Sequence, residues 1–150
     1  MVTLLLTLAC GGGEPPAPAA APASAPAPKP VAAPAVEVGP DGPASISVPA
    51  LDAVPSDPAA IEAGAKVFAD RGCGGCHKFG EKLVGPDLNG LYARRTLPWV
   101  ERMILDPAVM VKQDPQAKEM FRSLMVEMPK QNVSTEELPA LLAYLKAQGG

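Results

Sequence analysis

Cys73-Gly74-Gly75-Cys76-His77 places two thiols and an imidazole within five residues, the densest reactive cluster in the chain. The two thiols have the spacing to add to the vinyl groups of one haem, and the imidazole can bind its iron. His77 is the only histidine. Iron held here therefore takes a single histidine ligand from this chain, and one motif implies one covalent haem c. Two other uses of the pattern fit less well. A redox-active C-x-x-C pair follows a buried strand of an α/β fold, whereas the residues before Cys73 read as a helix. A structural zinc site takes four Cys or His ligands, and the one remaining cysteine, Cys10, lies across a proline-rich stretch.

A low-spin electron-transfer haem needs a second strong axial ligand. With no second histidine, the thioether of methionine is the natural choice. There are six methionines. Met1 belongs to the leader, Met103 and Met110 read as core, and Met120 lies on a short helix. Met125 and Met128 fall in a non-helical stretch, where a side chain can reach the iron. Met128 is preferred over Met125 because Pro129 stiffens the loop that presents it. On the histidine side, Gly85-Pro86-Asp87-Leu88 reads as a loop. A metal-bound histidine usually donates its second N–H to a carbonyl or carboxylate, and the Pro86 carbonyl is the expected acceptor. Trp99, the only tryptophan, has an indole N–H that wants a partner when buried. A haem propionate would serve, with plain core packing as the alternative. Arg94 and Arg95 are candidates to pair with a propionate.

The elements that must position these groups are helical. Asp57-Pro58 opens a first helix, with Pro58 where its missing N–H is harmless. Ile61, Ala65 and Phe68 form one apolar face, and Gly64 on the same side predicts a close backbone approach. Gly72 ends this helix. A second helix runs over Leu97–Leu105, with Trp99, Val100, Met103 and Ile104 apolar. Asp114-Pro115 opens a third, to about Leu124. Ser134-Thr135-Glu136-Glu137 is a capping box for a last helix reaching about Ala147. Pro139 predicts a distorted first turn there. No stretch alternates with period two, so the domain is all-α.

Outside residues 57–150 the chain changes character. Residues 11–56 hold 12 of the 19 prolines and no aromatic residue, and predict a disordered, extended linker. Residues 57–150 carry 12 Lys and Arg against 12 Asp and Glu, so the formal charge of −3 belongs to residues 1–56. A balanced domain gives no nucleic-acid-binding surface. Residues 1–10 are apolar, too short to span a bilayer, and read as part of a secretory signal. Leu8-Ala9-Cys10 resembles a bacterial lipoprotein cleavage box, with Thr7 departing from its usual leucine. That resemblance implies a lipid on Cys10 and a place on the periplasmic side of a bacterial membrane.

Gly64…Phe68, Cys73-x-x-Cys76-His77, Gly85-Pro86-x-Leu88, Trp99, Met128-Pro129 and Leu141-x-x-Tyr144-Leu145 stand in one order along residues 57–150. In that order they resemble the class I mono-haem cytochromes c of bacteria. The resemblance implies a helical domain wrapped around one haem, its first and last helices crossing where Gly64 and Phe68 meet Leu141 and Tyr144. It implies thioethers at Cys73 and Cys76, axial ligands His77 and Met128, and a haem pocket that includes Pro86, Leu88 and Trp99. The implied role is one-electron transfer between redox partner proteins of a respiratory chain, not enzymatic catalysis. Lys78, Lys82 and Lys130 would flank the haem edge and steer an acidic partner. Two alternatives stand beside it. One is a peroxidase or gas sensor with a displaceable sixth ligand, for which no distal histidine exists. The other is a haem subunit of a larger oxidase or reductase.

Overall fold

The computed structural model describes residues 38–49 and 51–150. Its helices are α1 (Pro58–Asp70), α2 (Leu91–Arg94), α3 (Leu97–Leu105), α4 (Pro107–Gln113), α5 (Pro115–Leu124) and α6 (Leu138–Gly149), with a 3₁₀ turn at Cys73–Gly75. Among the described residues there is no strand, only an isolated bridge between Gly39 and Gly42. The all-α expectation holds.

One device starts four of these helices: a side-chain oxygen accepts an orphan N–H, and a proline occupies the first turn. Asp57 accepts from Ala60 N at 2.9 Å, Thr96 from Trp99 N at 3.4 Å, Asp106 from Val109 N at 3.2 Å and Asp114 from Ala117 N at 2.8 Å. Asp106-Pro107 thus opens α4, a helix the sequence reading passed over, although its start repeats the signal at Asp57 and Asp114. The capping box forms as expected. Ser134 N donates to Glu137 Oε2 at 2.9 Å, and Glu137 N donates to Ser134 Oγ at 3.3 Å. Residues 135–137 make turns, and the α-helix proper begins at Leu138 with Pro139 in its first turn. There the missing donor breaks no helical bond.

Helices α1 and α6 cross at Gly64. A Cβ there would lie 1.9 Å from the Ala140 carbonyl oxygen and 2.7 Å from Tyr144 Cβ, so only glycine permits the approach. Next to the crossing, the Tyr144 ring packs against Phe68 and Phe79 at centroid distances of 5.3 and 5.9 Å. Arg71 and Glu137, 2.7 Å apart, join the end of α1 to the start of α6. Trp99, Val100, Met110, Leu138, Leu141, Leu142 and Leu145 form the centre of the core.

The expectation of a disordered linker through residue 56 fails for residues 38–49. Ile46 and Pro43 are buried in the domain. Ser45 Oγ donates to Gln113 Oε1 at 2.8 Å, and Arg102 on α3 donates to the carbonyls of Ile46 and Asp41. Two apolar side chains and a few backbone acceptors hold this strap, a signal that proline content hides. Residues 1–37, with Cys10, and Ala50 lie outside the described residues. Among the described residues no helix is long and apolar enough to cross a membrane.

Candidate functional site

Gly72 adopts φ +70, a left-handed turn that favours glycine, and redirects the chain from α1 into Cys73–Gly75. His77 N and Cys76 N both donate to the Cys73 carbonyl, at 3.0 and 3.2 Å. This tight turn presents Cys73 and Cys76 as free, half-buried thiols. Burial pushes the Cys73 thiol above its ordinary pKa, keeping it protonated.

The His77 ring is held from one side. Its Nδ1 lies 2.9 Å from the Pro86 carbonyl, so Nδ1–H donates and the Nε2 lone pair is left for a metal. Gly85 makes room for this bond, since a Cβ there would stand 2.5 Å from His77 Cε1 and 2.8 Å from Nδ1. The loop carrying Pro86 is tied down along its length. Gly85 N donates to Cys76 O at 2.8 Å, Leu88 N to Lys78 O at 2.9 Å, and Gly90 N to Gly149 O at 2.6 Å. Asp87 accepts from Asn89 N and Gly80 N, bonds that hold its carboxyl below the usual carboxylate range. Arg94 donates to the carbonyls of Asp87 and Asn89. Its guanidinium thus braces the loop with two of its five N–H donors while Arg94 and Arg95 both line the cleft, where the sequence suggested a propionate partner.

Cys73, Cys76, His77, Pro86, Leu88, Trp99 and Met128 all line one apolar cleft of about 1370 Å³, part of it open to solvent. Val100, Met103, Ile104, Leu141 and Leu145 supply further walls. Trp99 Nε1 is buried without a hydrogen-bond partner, and the Arg95 guanidinium sits 4.9 Å from the Trp99 ring centroid. Among the other methionines, Met110 is wholly buried, packed where a Cβ on Gly42 would be 3.2 Å from its sulfur. Met125 is 80% exposed and does not line the cleft. Met103 and Met120 share the cleft with Met128. Lys78 pairs with Glu81 at 3.1 Å, while Lys82 and Lys130 are exposed.

These residues fit a haem. An apolar slot accepts the macrocycle, paired thiols stand at its rim with an imidazole lone pair, and an orphaned buried N–H suits an anionic propionate. Sequence reasoning took Gly85 as part of a turn and did not single out Gly149. A Cβ on Gly149 would come within 2.6 Å of the Leu88 carbonyl, so the end of α6 braces the same loop. No sequence signal marked it, because the last helix was expected to end near Ala147, before Gly149, whereas α6 runs through Gly149.

The family model described as cytochrome c matches residues 61–148. Among solved structures, the chain is similar to a cytochrome c from Rhodothermus marinus, with 26% identity and a TM-score of 0.62, over 73% of this chain and 90% of that one. It is also similar to an engineered cytochrome c from Rhodothermus marinus bound to a carbene intermediate, with 25% identity and a TM-score of 0.60, over 74% and 98% of the two chains. No curated protein matches. With the family matched over more than half its length, on a helical fold around a cleft that suits covalent haem c and its iron, this chain belongs to the cytochrome c family.

Proposed function

We propose that this protein is a one-electron carrier rather than an enzyme, with thioethers at Cys73 and Cys76 and axial ligands His77 and Met128. The observation that carries the reading is the His77 Nδ1–Pro86 O contact of 2.9 Å inside an apolar cleft that Met128 also lines. When bound, the haem supplies a one-electron couple. The residues around it do the rest. Pro86 and Gly85 fix the plane and tautomer of the imidazole, so little ligand motion accompanies the change of charge. The apolar walls exclude water and favour the less charged, reduced form, which raises the potential together with His/Met ligation. Trp99 Nε1–H supplies a donor for a propionate. Exposed Lys82 and Lys130 favour an acidic partner surface, and the class I bacterial cytochromes are the subfamily this arrangement suits.

The proposed setting is the periplasmic side of a bacterial membrane, with a lipid on Cys10 as anchor and partners in a respiratory chain. Two acyl signals at one terminus hold a protein far more firmly than a single chain. In cells, wild type should fractionate with membranes and be released by detergent but not by salt. Cys10→Ala should be displaced, and a wholly soluble wild type would remove the anchor.

The ligand set is tested by spectroscopy of the oxidised holoprotein. Met128→Ala should abolish the weak far-red band of sulfur–iron bonding and lower the potential, while Met125→Ala should leave both unchanged. The reverse pattern would overturn the assignment.

A further inference from the structure

Glu101 is the charged residue that the site leaves unused. It lies on α3 between Val100, which lines the cleft, and Arg102, which clasps the strap. It does not line the cleft itself, yet it is only 1% exposed, and its Oε1 is buried with no hydrogen-bond partner. An ionised carboxylate in such a place is costly, and a protonated one far less so. Two ionisable groups act on it. Arg102 favours the anion, but its guanidinium is spread over the carbonyls of Ile46 and Asp41. Tyr92 on α2 donates its hydroxyl to the Leu142 carbonyl at 3.1 Å, so that proton is spent elsewhere. Desolvation dominates, pushing the Glu101 carboxyl above the usual carboxylate range.

We propose that Glu101 is a redox-linked proton-binding site, taking a proton from water as the protein accepts an electron and returning it when the electron leaves. The inference rests on the proposed role of the cleft as the seat of the redox centre. The oxidised centre carries one more positive charge than the reduced one. Glu101 stands on the same short helix as Val100, Met103 and Ile104, which line the cleft, and in a buried setting that charge is poorly screened and favours the Glu101 anion. Reduction removes the charge, and the buried carboxylate then binds H⁺ more tightly. The balance is one electron from the donor protein and one proton from solvent onto one carboxylate oxygen. Coupling is reciprocal: whatever factor separates proton affinity in the two redox states also appears in the potential. A tenfold difference in affinity corresponds to 59 mV for a one-electron couple. The potential is then level at low pH, falls as pH rises between the two affinities, and levels again above both.

The test is a potentiometric titration of the full holoprotein at a series of pH values, with Glu101→Gln beside wild type. The glutamine keeps the volume and cannot titrate. Wild type should show the falling segment, and Glu101→Gln should lose it. Superimposable profiles would overturn the proposal. If Glu101→Gln does not fold, Glu101→Asp serves with redox-difference infrared spectra, in which a protonated-carboxyl band should appear on reduction and move in the variant. A band absent or unmoved overturns it equally. A clean one-electron wave independent of pH would remove the proton site and leave the carrier reading intact. A protein that gives no such wave would remove the carrier reading itself.

Discussion

The two walls that would face a haem are built differently. On the His77 side, the loop at residues 77–90 is fixed by backbone bonds to Cys76, Lys78 and Gly149, by the Asp87 carboxylate and by Arg94. On the Met128 side, residues 125–132 run without regular structure from a left-handed Met125 (φ 54), whose N–H donates back to Phe121 O at 2.8 Å; beyond it one long bond, Gln131 Nε2 to Pro129 O at 3.4 Å, closes part of the segment. Met125, Val126 and Phe121 are exposed there. The contrast teaches that histidine geometry is set by bonds within the polypeptide, while the methionine segment is tied down far less by the rest of the described chain. Under the proposed ligation, a preset histidine and a less constrained methionine loop would suit covalent attachment beside the histidine.

The largest predicted effect falls on the scaffold of the rigid side. Gly64→Val must push α1 off α6, because even a Cβ would sit 1.9 Å from the Ala140 carbonyl, a backbone atom that cannot rotate away. Overpacking of this kind costs about 3 kcal/mol or more. Denaturant melts of the holoprotein should show it, and a loss below about 1 kcal/mol would mean the crossing is not tight.

Gly85→Ala comes next. Its methyl collides with the imidazole 2.5 Å away, so either the loop lifts or the His77–Pro86 bond breaks. The cost should be about 2 kcal/mol, with a raised potential, because an imidazole that no longer donates to Pro86 is a weaker donor and stabilises the oxidised iron less. Met128→Ala should do less to the melt and more to the spectrum, opening the iron to added ligands while the fold persists. If Met128→Ala destabilised as much as Gly85→Ala, the two sides would be equally built and the contrast would fail.

What the sequence made legible were features whose cause is local or tied to a residue type: the Cys73–His77 attachment run, the Asp-Pro helix starts, the Ser134 capping box and the reason for Gly64. All seven residues singled out for the site line one cleft. What it hid depended on distant contacts. The strap at residues 38–49 sits among prolines and is held by carbonyls meeting Arg102, a pairing with no sequence signature. Glu101 looks like an ordinary polar residue of an amphipathic helix, and only the packing around α3 buries it. Arg94 braces its own loop through two carbonyls, contacts that the sequence does not announce.

The smallest predicted effect concerns Arg71 and Glu137, which join α1 to α6 beside the rigid side. The Glu137 carboxyl is held below its usual value of 4.5, first by the Arg71 hydrogen bond and then by Ser134 N. A depressed folded-state pKa stabilises the protein above the unfolded value, and that stabilisation is lost as pH falls through the folded one. Glu137→Gln removes the charge and keeps the shape. Its melting temperature should lie below wild type at neutral pH by a nearly constant gap. The gap should begin to shrink near pH 4.5 and close at lower pH, where wild-type Glu137 is itself protonated. Salt should narrow the neutral-pH gap, because both side chains reach solvent. A gap that survives full protonation would assign the loss to the Ser134 capping bonds instead, making this joint a helix start rather than an ion pair.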